Sequence, residues 1–294
     1  MSGKLKEVRL RITSVTNTQQ ITKAMKMVSA AKLRRAQDAI LQMRPYAIKM
    51  GEMLSNIAAA TQGDINIEFA KEKEVKHPLI VIITSDKGLC GAFNTNVVKA
   101  AKRLIDERYS KLPQQNIHLI FVGKKGYDQL KRSSCNLNTS FQHLFHKVSF
   151  ESVTEATEHI KSGFVSGQYD EVFVIYNKFK NAATQILETE QFLPIKKVES
   201  ETTKTSNTDY IFDPDKFKLI EELVPKILNT TFFRYILDSN ASEHGARMTA
   251  MDKASENAND LLRDLKIQYN RARQAAITTE LTEIVSGAAA LEGN

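Results

Sequence analysis

Along the last stretch of the chain, apolar and small residues recur at alternating steps of three and four. Ala241, His244, Met248, Met251, Ser255, Ala258, Leu262, Leu265, Tyr269, Ala272 and Ala276 fall on one face, and after a small phase shift Ile277, Leu281, Ile284 and Ala288 continue it. No proline falls between Lys226 and Asn294, so this heptad-like spacing predicts a long helix that needs a partner helix. The partner is predicted at the other end of the chain. Leu5, Val8, Ile12 and Val15, then Leu33, Ala36, Ile40, Met43, Ala47, Met50, Leu54 and Ile57, keep the same spacing there. Between these two runs Gln19, Thr22, Lys26 and Ser29 interrupt the seam, with Ile21, Ala24, Met25 and Val28 as a displaced stripe beside it. The helix either turns a polar face inward here or does something else. Pro45 lacks an amide donor and is expected to bend the helix near Leu41. At ~1.5 Å per residue a helix over 3–60 extends roughly 85 Å, beyond the size of a compact domain, so most of it is expected to project.

Past residue 60 the pattern changes. Residues 61–76 are polar and mixed in charge, a linker. Leu79–Thr84 is a continuous β-branched run of the kind buried on both faces of a parallel sheet. A Gly-containing turn follows, then a predicted helix over Asn94–Tyr109, a strand over Ile117–Val122 and a short helix over Tyr127–Arg132. A helix over 151–162, with Ser152 or Thr154 as N-cap, and strands over Glu171–Asn177 and Ala183–Ile195 complete the pattern. Strands alternating with helices predict a Rossmann-like α/β domain. The expected fold class is thus mixed α+β and α/β: a long antiparallel coiled coil of the N- and C-terminal helices with an inserted Rossmann-like domain. The expected divisions are 1–60, 61–209 with a mobile Ser/Thr-rich loop near 197–209, and 210–294.

Composition and charge narrow the function classes. The 294 residues are 42% hydrophobic, enough for a real core, and carry a net charge of +7. Residues 1–60 hold eleven Lys/Arg against three acids, whereas residues 210–294 hold ten against thirteen. The opposite bias favours pairing, but exposed ion pairs contribute only about 0.2–1 kcal/mol each, so the apolar seam must dominate. Between Val8 and Gln37 seven cations (Arg9, Arg11, Lys23, Lys26, Lys32, Arg34 and Arg35) occur without an acid. This reads as a solvated face. Nucleic-acid binding is the alternative for any basic helix, but the run has no aromatic residue for stacking, and an acidic protein surface is the better partner. Two cysteines, Cys90 and Cys135, argue against a disulfide-built secreted protein. No stretch approaches the ~20 apolar residues that span a bilayer, and the N-terminus lacks the apolar core of a signal peptide. Membrane attachment is expected only through partners.

Candidate chemistry is sparse. The Asp86–Ala92 turn sits past a strand's carboxyl end, where an α/β enzyme holds its ligand, but it has neither the dinucleotide fingerprint nor P-loop spacing. Gly88 and Gly91 read instead as the requirements of a tight turn. Cys90 has no nearby histidine to activate it, and His143 and His146 lack a third metal ligand. The residues offer no acid/base pair, catalytic triad, cofactor site or metal site.

Four segments carry a resemblance. Ile21–Val28 (ITKAMKMV), Ser85–Gly91 (SDKGLCG), Ser242–Met251 (SEHGARMTAM) and Tyr269–Ala288 (YNRARQAAITTELTEIVSGA) are similar, in this order, to the signatures of the gamma subunits of F-type ATP synthases. The resemblance implies a non-catalytic rotor: a coiled-coil shaft inside a ring of three alpha and three beta subunits, with the α/β domain as a foot resting with the epsilon subunit on the membrane-embedded c-ring. It implies alpha/beta contacts for Lys23, Met25 and Lys26 beside an acidic loop of beta, for Arg273, Gln274, Thr278 and Glu280 at a catching loop, and for Arg247 in the supporting region. It implies epsilon and c-ring contacts for Tyr210 and Asp213. It further implies no cofactor, no nucleic acid, no direct membrane insertion, and a place on the cytoplasmic face of a bacterial inner membrane. The cysteine pair of the redox-regulated chloroplast form is absent from the sequence. A static coiled-coil scaffold with an α/β head is the alternative, and an enzyme using the Asp86–Gly91 turn is a second.

Overall fold

The structure is a computed structural model that describes residues 3–60, 68–195 and 216–292. Its elements follow the order α1 (Gly3–Ala60), β1 (Pro78–Ile83), α2 (Phe93–Arg108), β2 (His118–Val122), α3 (Lys124–Leu130), β3 (Asn136–Asn138), α4 (Phe150–Val165), β4 (Glu171–Phe179), β5 (Gln185–Leu193) and α5 (Lys216–Glu292). Tyr210, Asp213 and the Ser/Thr-rich stretch 197–209 lie outside the described residues. The chain divides into two compact units, one formed by Met1–Ser29 with Met248–Asn294 and the other by Ala30–Arg247.

In the first unit the two termini run antiparallel, Gln19 reaching Asn259, Thr22 reaching Ser255 and Lys26 reaching Asp252. Within this unit the predicted seam is observed from Leu5 to Val15 and from Met251 to Ala276. Leu5, Met251, Ala258 and Leu265 are buried, and Val8, Ile12, Val15, Leu262, Tyr269, Ala272 and Ala276 are half-buried. Burying such a row removes apolar surface at about 25 cal/mol per Å², the main attraction between the helices.

The second unit is built on one five-stranded sheet in the order β3-β2-β1-β4-β5. β1 pairs parallel with β2 and β4, β2 pairs parallel with β3, and β4 pairs antiparallel with β5. All six residues of β1 are buried, as expected for a central strand covered on both faces. One face packs Leu79, Val81, Val174 and Tyr176 against Val153, Ile160 and Phe164 of α4 and Leu228, Phe232 and Tyr235 of α5. The other packs Ile80, Ile82, Phe121 and Ile175 against Val97, Val98 and Ala101 of α2. The sheet is therefore sandwiched between helices, as the alternating pattern predicts.

Several boundaries differ from the sequence reading for local reasons. α5 begins at Lys216 and carries Pro225 within it, and α1 is helical through Pro45. α4 is capped by Ser149 rather than by Ser152 or Thr154. The Ser149 hydroxyl accepts from the Ser152 amide at 3.3 Å and the Ser152 hydroxyl accepts from the Ser149 amide, a reciprocal capping box. β3 is a three-residue polar edge strand, too short to leave a periodic signal. α3 starts directly after Gly123, whose φ of 88° and position suit glycine alone, because an added Cβ would lie 2.0 Å from the Thr84 carbonyl oxygen.

Candidate partner-contact site

The polar interruption in the α1 seam turns inward. Gln19, Thr22 and Ser29 are buried, as is Ser255 opposite them. The Gln19 side-chain amide donates to the Asn259 carbonyl oxygen, and the Thr22 and Ser255 hydroxyls lie 2.7 Å apart. Each of these hydroxyls also reaches a carbonyl of its own helix, Thr22 that of Gln19 and Ser255 that of Met251, so neither is stranded. At the rim Lys26 donates to Asp252 at 2.5 Å with both side chains more than two-fifths exposed, a pair whose stabilisation is small. Turning polar groups inward sends the neighbouring apolar ones out. Ile21, Met27 and Val28 are 57–72% exposed, Lys23 is exposed and Met25 is half-buried. This turn of α1 thus displays apolar and cationic side chains together.

Arg247 is the second predicted residue of note, and it faces inward. Its guanidinium donates through Nη2 to the Lys87 carbonyl at 2.7 Å and through Nε to the Gly88 carbonyl at 3.2 Å. Nη1 donates to Glu243 at 2.7 Å, with both side chains less than a tenth exposed. The forked geometry of a guanidinium fits this triple task, which an ammonium could not reproduce. Burial pushes the Glu243 carboxyl up, partly offset by Arg247. Burial, followed by Arg247 and Lys32, pushes His244 down to about 4, so it is neutral near pH 7 and can accept from Arg247.

The turn that Arg247 holds is also braced from within. The Ser85 hydroxyl donates to the Lys87 carbonyl at 2.7 Å, and the Ser85 amide donates to the Asn94 side chain at 2.9 Å. Cys90 is 2% exposed beside Ser85 and Asn94, and burial pushes its thiol up, so it is poorly nucleophilic. Leu89 takes a left-handed φ of 63° and is 63% exposed. The polar groups of the turn are thus largely spent on holding its own shape. His143 and His146 stack with ring centroids 5.0 Å apart. No metal-holding cluster occurs among the described residues.

Arg273, Gln274, Thr278 and Glu280 all lie exposed near the end of α5. The Thr278 hydroxyl donates to the Gln274 carbonyl at 3.0 Å. Extending the antiparallel register places Gly3 opposite Ala275, and past that point the described part of α1 reaches α5 only through Lys4 and Val8, which line a groove with Thr279, Glu280 and Glu283. Ile277, Leu281 and Ile284, which the spacing assigns to the seam, are 50–67% exposed, and Val285 beside them is 65% exposed. The apolar stripe is real, but its partner is not within the described part of this chain.

Sequence reasoning did not single out Asp252, Asn259, Glu243 or the Lys87 and Gly88 carbonyls. The first two could have been found by the rule that a polar layer on one helix needs polar residues at the facing positions. The carbonyls leave no side-chain signal.

Comparisons with known proteins agree with this geometry. A family model described as ATP synthase matches residues 4–291. The ATP synthase gamma chain of Cytophaga hutchinsonii is 56% identical over 290 residues, covering 98% of each chain. That of Flavobacterium psychrophilum is 51% identical over 289 residues, covering 98% of this chain and 99% of its own. Among solved structures, a chain from the central stalk and c-ring of the Tetrahymena thermophila mitochondrial ATP synthase superposes with a TM-score of 0.56 at 28% identity, over 80% of this chain and 99% of that one. A chain from the Euglena gracilis mitochondrial ATP synthase shares the fold, with a TM-score of 0.68 at 22% identity over 99% of this chain and 95% of that one. Matched over nearly its whole length by the family model and by relatives more than half identical, the chain belongs to the ATP synthase gamma chain family.

Proposed function

We propose that this chain is the non-catalytic central rotor of a proton-translocating F-type ATP synthase, carrying torque between a membrane c-ring and a catalytic hexamer of three alpha and three beta subunits. The observation that carries the reading is the unpaired apolar end of α5, Ile277 to Val285, next to the exposed polar residues Arg273, Gln274, Thr278 and Glu280. An apolar stripe of that kind belongs in another protein's interior. A rotor with no ligand of its own shifts a catalytic site only by touching its conformations differently, so it must have unlike sides. The strongly cationic α1 and the nearly neutral α5 supply them.

In this reading Lys23, Met25 and Lys26 meet an acidic loop of beta, and Arg273, Gln274, Thr278 and Glu280 meet a catching loop of the hexamer. Arg247 supports these contacts from within by fixing the Lys87–Gly88 turn against α5. Segment 61–209 is the foot. Tyr210 and Asp213, outside the described residues, are assigned to the epsilon- and ring-facing edge. The chain attaches through the c-ring at the cytoplasmic face of a bacterial inner membrane, and no helix among the described residues is long and apolar enough to cross a membrane. The test is reconstitution. Alpha–beta hexamers joined to epsilon, c-ring and stator should couple ATP hydrolysis to proton pumping only when this chain is present. Cooperative, coupled hydrolysis without it defeats the reading.

A further inference from the structure

A tie between two buried tyrosines and a half-buried carboxylate joins α5 to the sheet. Glu190, on edge strand β5, accepts from the Tyr176 hydroxyl of β4 at 2.6 Å through Oε1 and from the Tyr235 hydroxyl of α5 at 2.7 Å through Oε2. The Tyr176 and Tyr235 rings lie 4.4 Å apart, and both residues are almost wholly buried. Arg234 closes the cluster, its guanidinium 3.7 Å from Glu190 and 5.2 Å from the Tyr235 ring. Burial, reinforced by Glu190, pushes both phenols up, so each remains a donor across the physiological range.

From this geometry we infer that Glu190, Tyr176 and Tyr235 form a torsional joint, the place where turning force passes between the sheet and α5. The inference rests on the rotor reading above. Apolar packing between Phe232 or Leu228 and the sheet resists separation but is non-directional, and so yields to sliding. Hydrogen bonds to a carboxylate are short, directional and about twice as strong as neutral ones, and they are what resists a twist of α5 about its own axis. The two oxygens of Glu190 face two different elements, so β4, β5 and α5 are locked at a single point. A second tyrosine-bound carboxylate, Glu171, more deeply buried than Glu190, makes similar contacts with Tyr109 and Arg108, but it joins β4 to the end of α2. It is the matched control.

The experiment is single-molecule angular tracking of the assembled complex. The alpha–beta hexamer is immobilised, and a probe is attached through Glu155→Cys on the exposed side of α4. The width of the angular distribution is then read at each pause. Angular variance varies inversely with stiffness, so removing one of the two ties from Glu190 to α5, the Tyr235 hydrogen bond rather than the Arg234 ion pair, by Tyr235→Phe should raise it about twofold. Glu190→Gln should do the same or more, whereas Glu171→Gln should leave it unchanged at a similar cost in melting temperature. Unchanged variance for both Tyr235→Phe and Glu190→Gln overturns the joint, as does equal broadening by Glu171→Gln. If the unmutated chain does not rotate at all, it is the rotor reading that fails, and the two failures are told apart by that first trace.

Discussion

Thr22 and Ser255 meet hydroxyl to hydroxyl at 2.7 Å inside the seam between the two terminal helices, where an ordinary coiled coil would place two apolar side chains. Each hydroxyl also has a carbonyl of its own helix within reach. The layer therefore specifies register at little cost, because a slip of one residue would bury Lys26 and leave Gln19 without Asn259.

Replacing both members by apolar isosteres should accordingly be almost neutral. Thr22→Val with Ser255→Ala is expected to change unfolding free energy by no more than about 1 kcal/mol. Reversing the rim charge with Asp252→Lys should cost up to about 1 kcal/mol, and adding Lys26→Asp should restore it. Urea denaturation of the four proteins measures both effects.

Removing Arg247 should be far more damaging. Arg247→Ala leaves the buried Glu243 without its partner, takes the guanidinium donor from the Gly88 carbonyl and leaves the Lys87 carbonyl with Ser85 alone, a loss of about 3–5 kcal/mol. Arg247→Lys should recover only part of it, because an ammonium cannot span Lys87, Gly88 and Glu243 together. A combined Glu243→Gln, Arg247→Met protein should be more stable than Arg247→Ala. Thermal melting ranks the set.

Acid should weaken the region around His244. Its folded-state pKa of about 4 lies below its ordinary value of 6.5, so between these values the unfolded chain binds the proton that the folded chain refuses. Stability therefore falls as pH drops from about 6.5 towards 4, by on the order of 1–2 kcal/mol for this partly solvated ring. Glu243 acts in the opposite sense. Its raised pKa means the folded chain takes up a proton first on acidification, which offsets part of the loss. His244→Gln should abolish the loss in melting temperature between pH 7 and pH 5, or reverse it slightly.

Deleting residues 277–294 should barely affect folding, because every described side chain from Ile277 to Ala288 is exposed. The expected change in melting temperature is within a few degrees, in line with surface substitutions. Coupled ATP turnover in the assembled complex should drop sharply. Arg273→Ala with Gln274→Ala should likewise reduce turnover while the circular dichroism of the isolated chain stays the same.

The helical seam and the α/β alternation were legible in the sequence because each is a period: three and four for the coiled coil, strand and helix by turns for the sheet. The polar layer at Gln19, Thr22 and Lys26 was legible as an interruption, and of its two readings the inward polar face is the observed one. Legibility ended where the period outlived its partner. Ile277, Leu281 and Ile284 keep the seam's spacing, yet among the described residues they are exposed, and spacing carries no information about where the opposing helix lies. Contacts between distant segments left no signal either. Nothing near Arg247 in sequence announces the Lys87 carbonyl, and nothing near Tyr235 announces Glu190. The Ser149 cap was missed because a serine pair three apart can be entered at either member.

The pairing of the two terminal helices into one turning body is tested most directly by locking them together. In a protein carrying Thr22→Cys and Ser255→Cys, the side chains that now meet should form a disulfide on oxidation. ATP-driven rotation of the assembled complex is then recorded before and after. The account predicts efficient cross-linking with the stepping rate and direction unchanged, since helices that already move as one lose nothing by being joined. Failure of the bond to form, or rotation that stops when it forms and resumes on reduction, would contradict it.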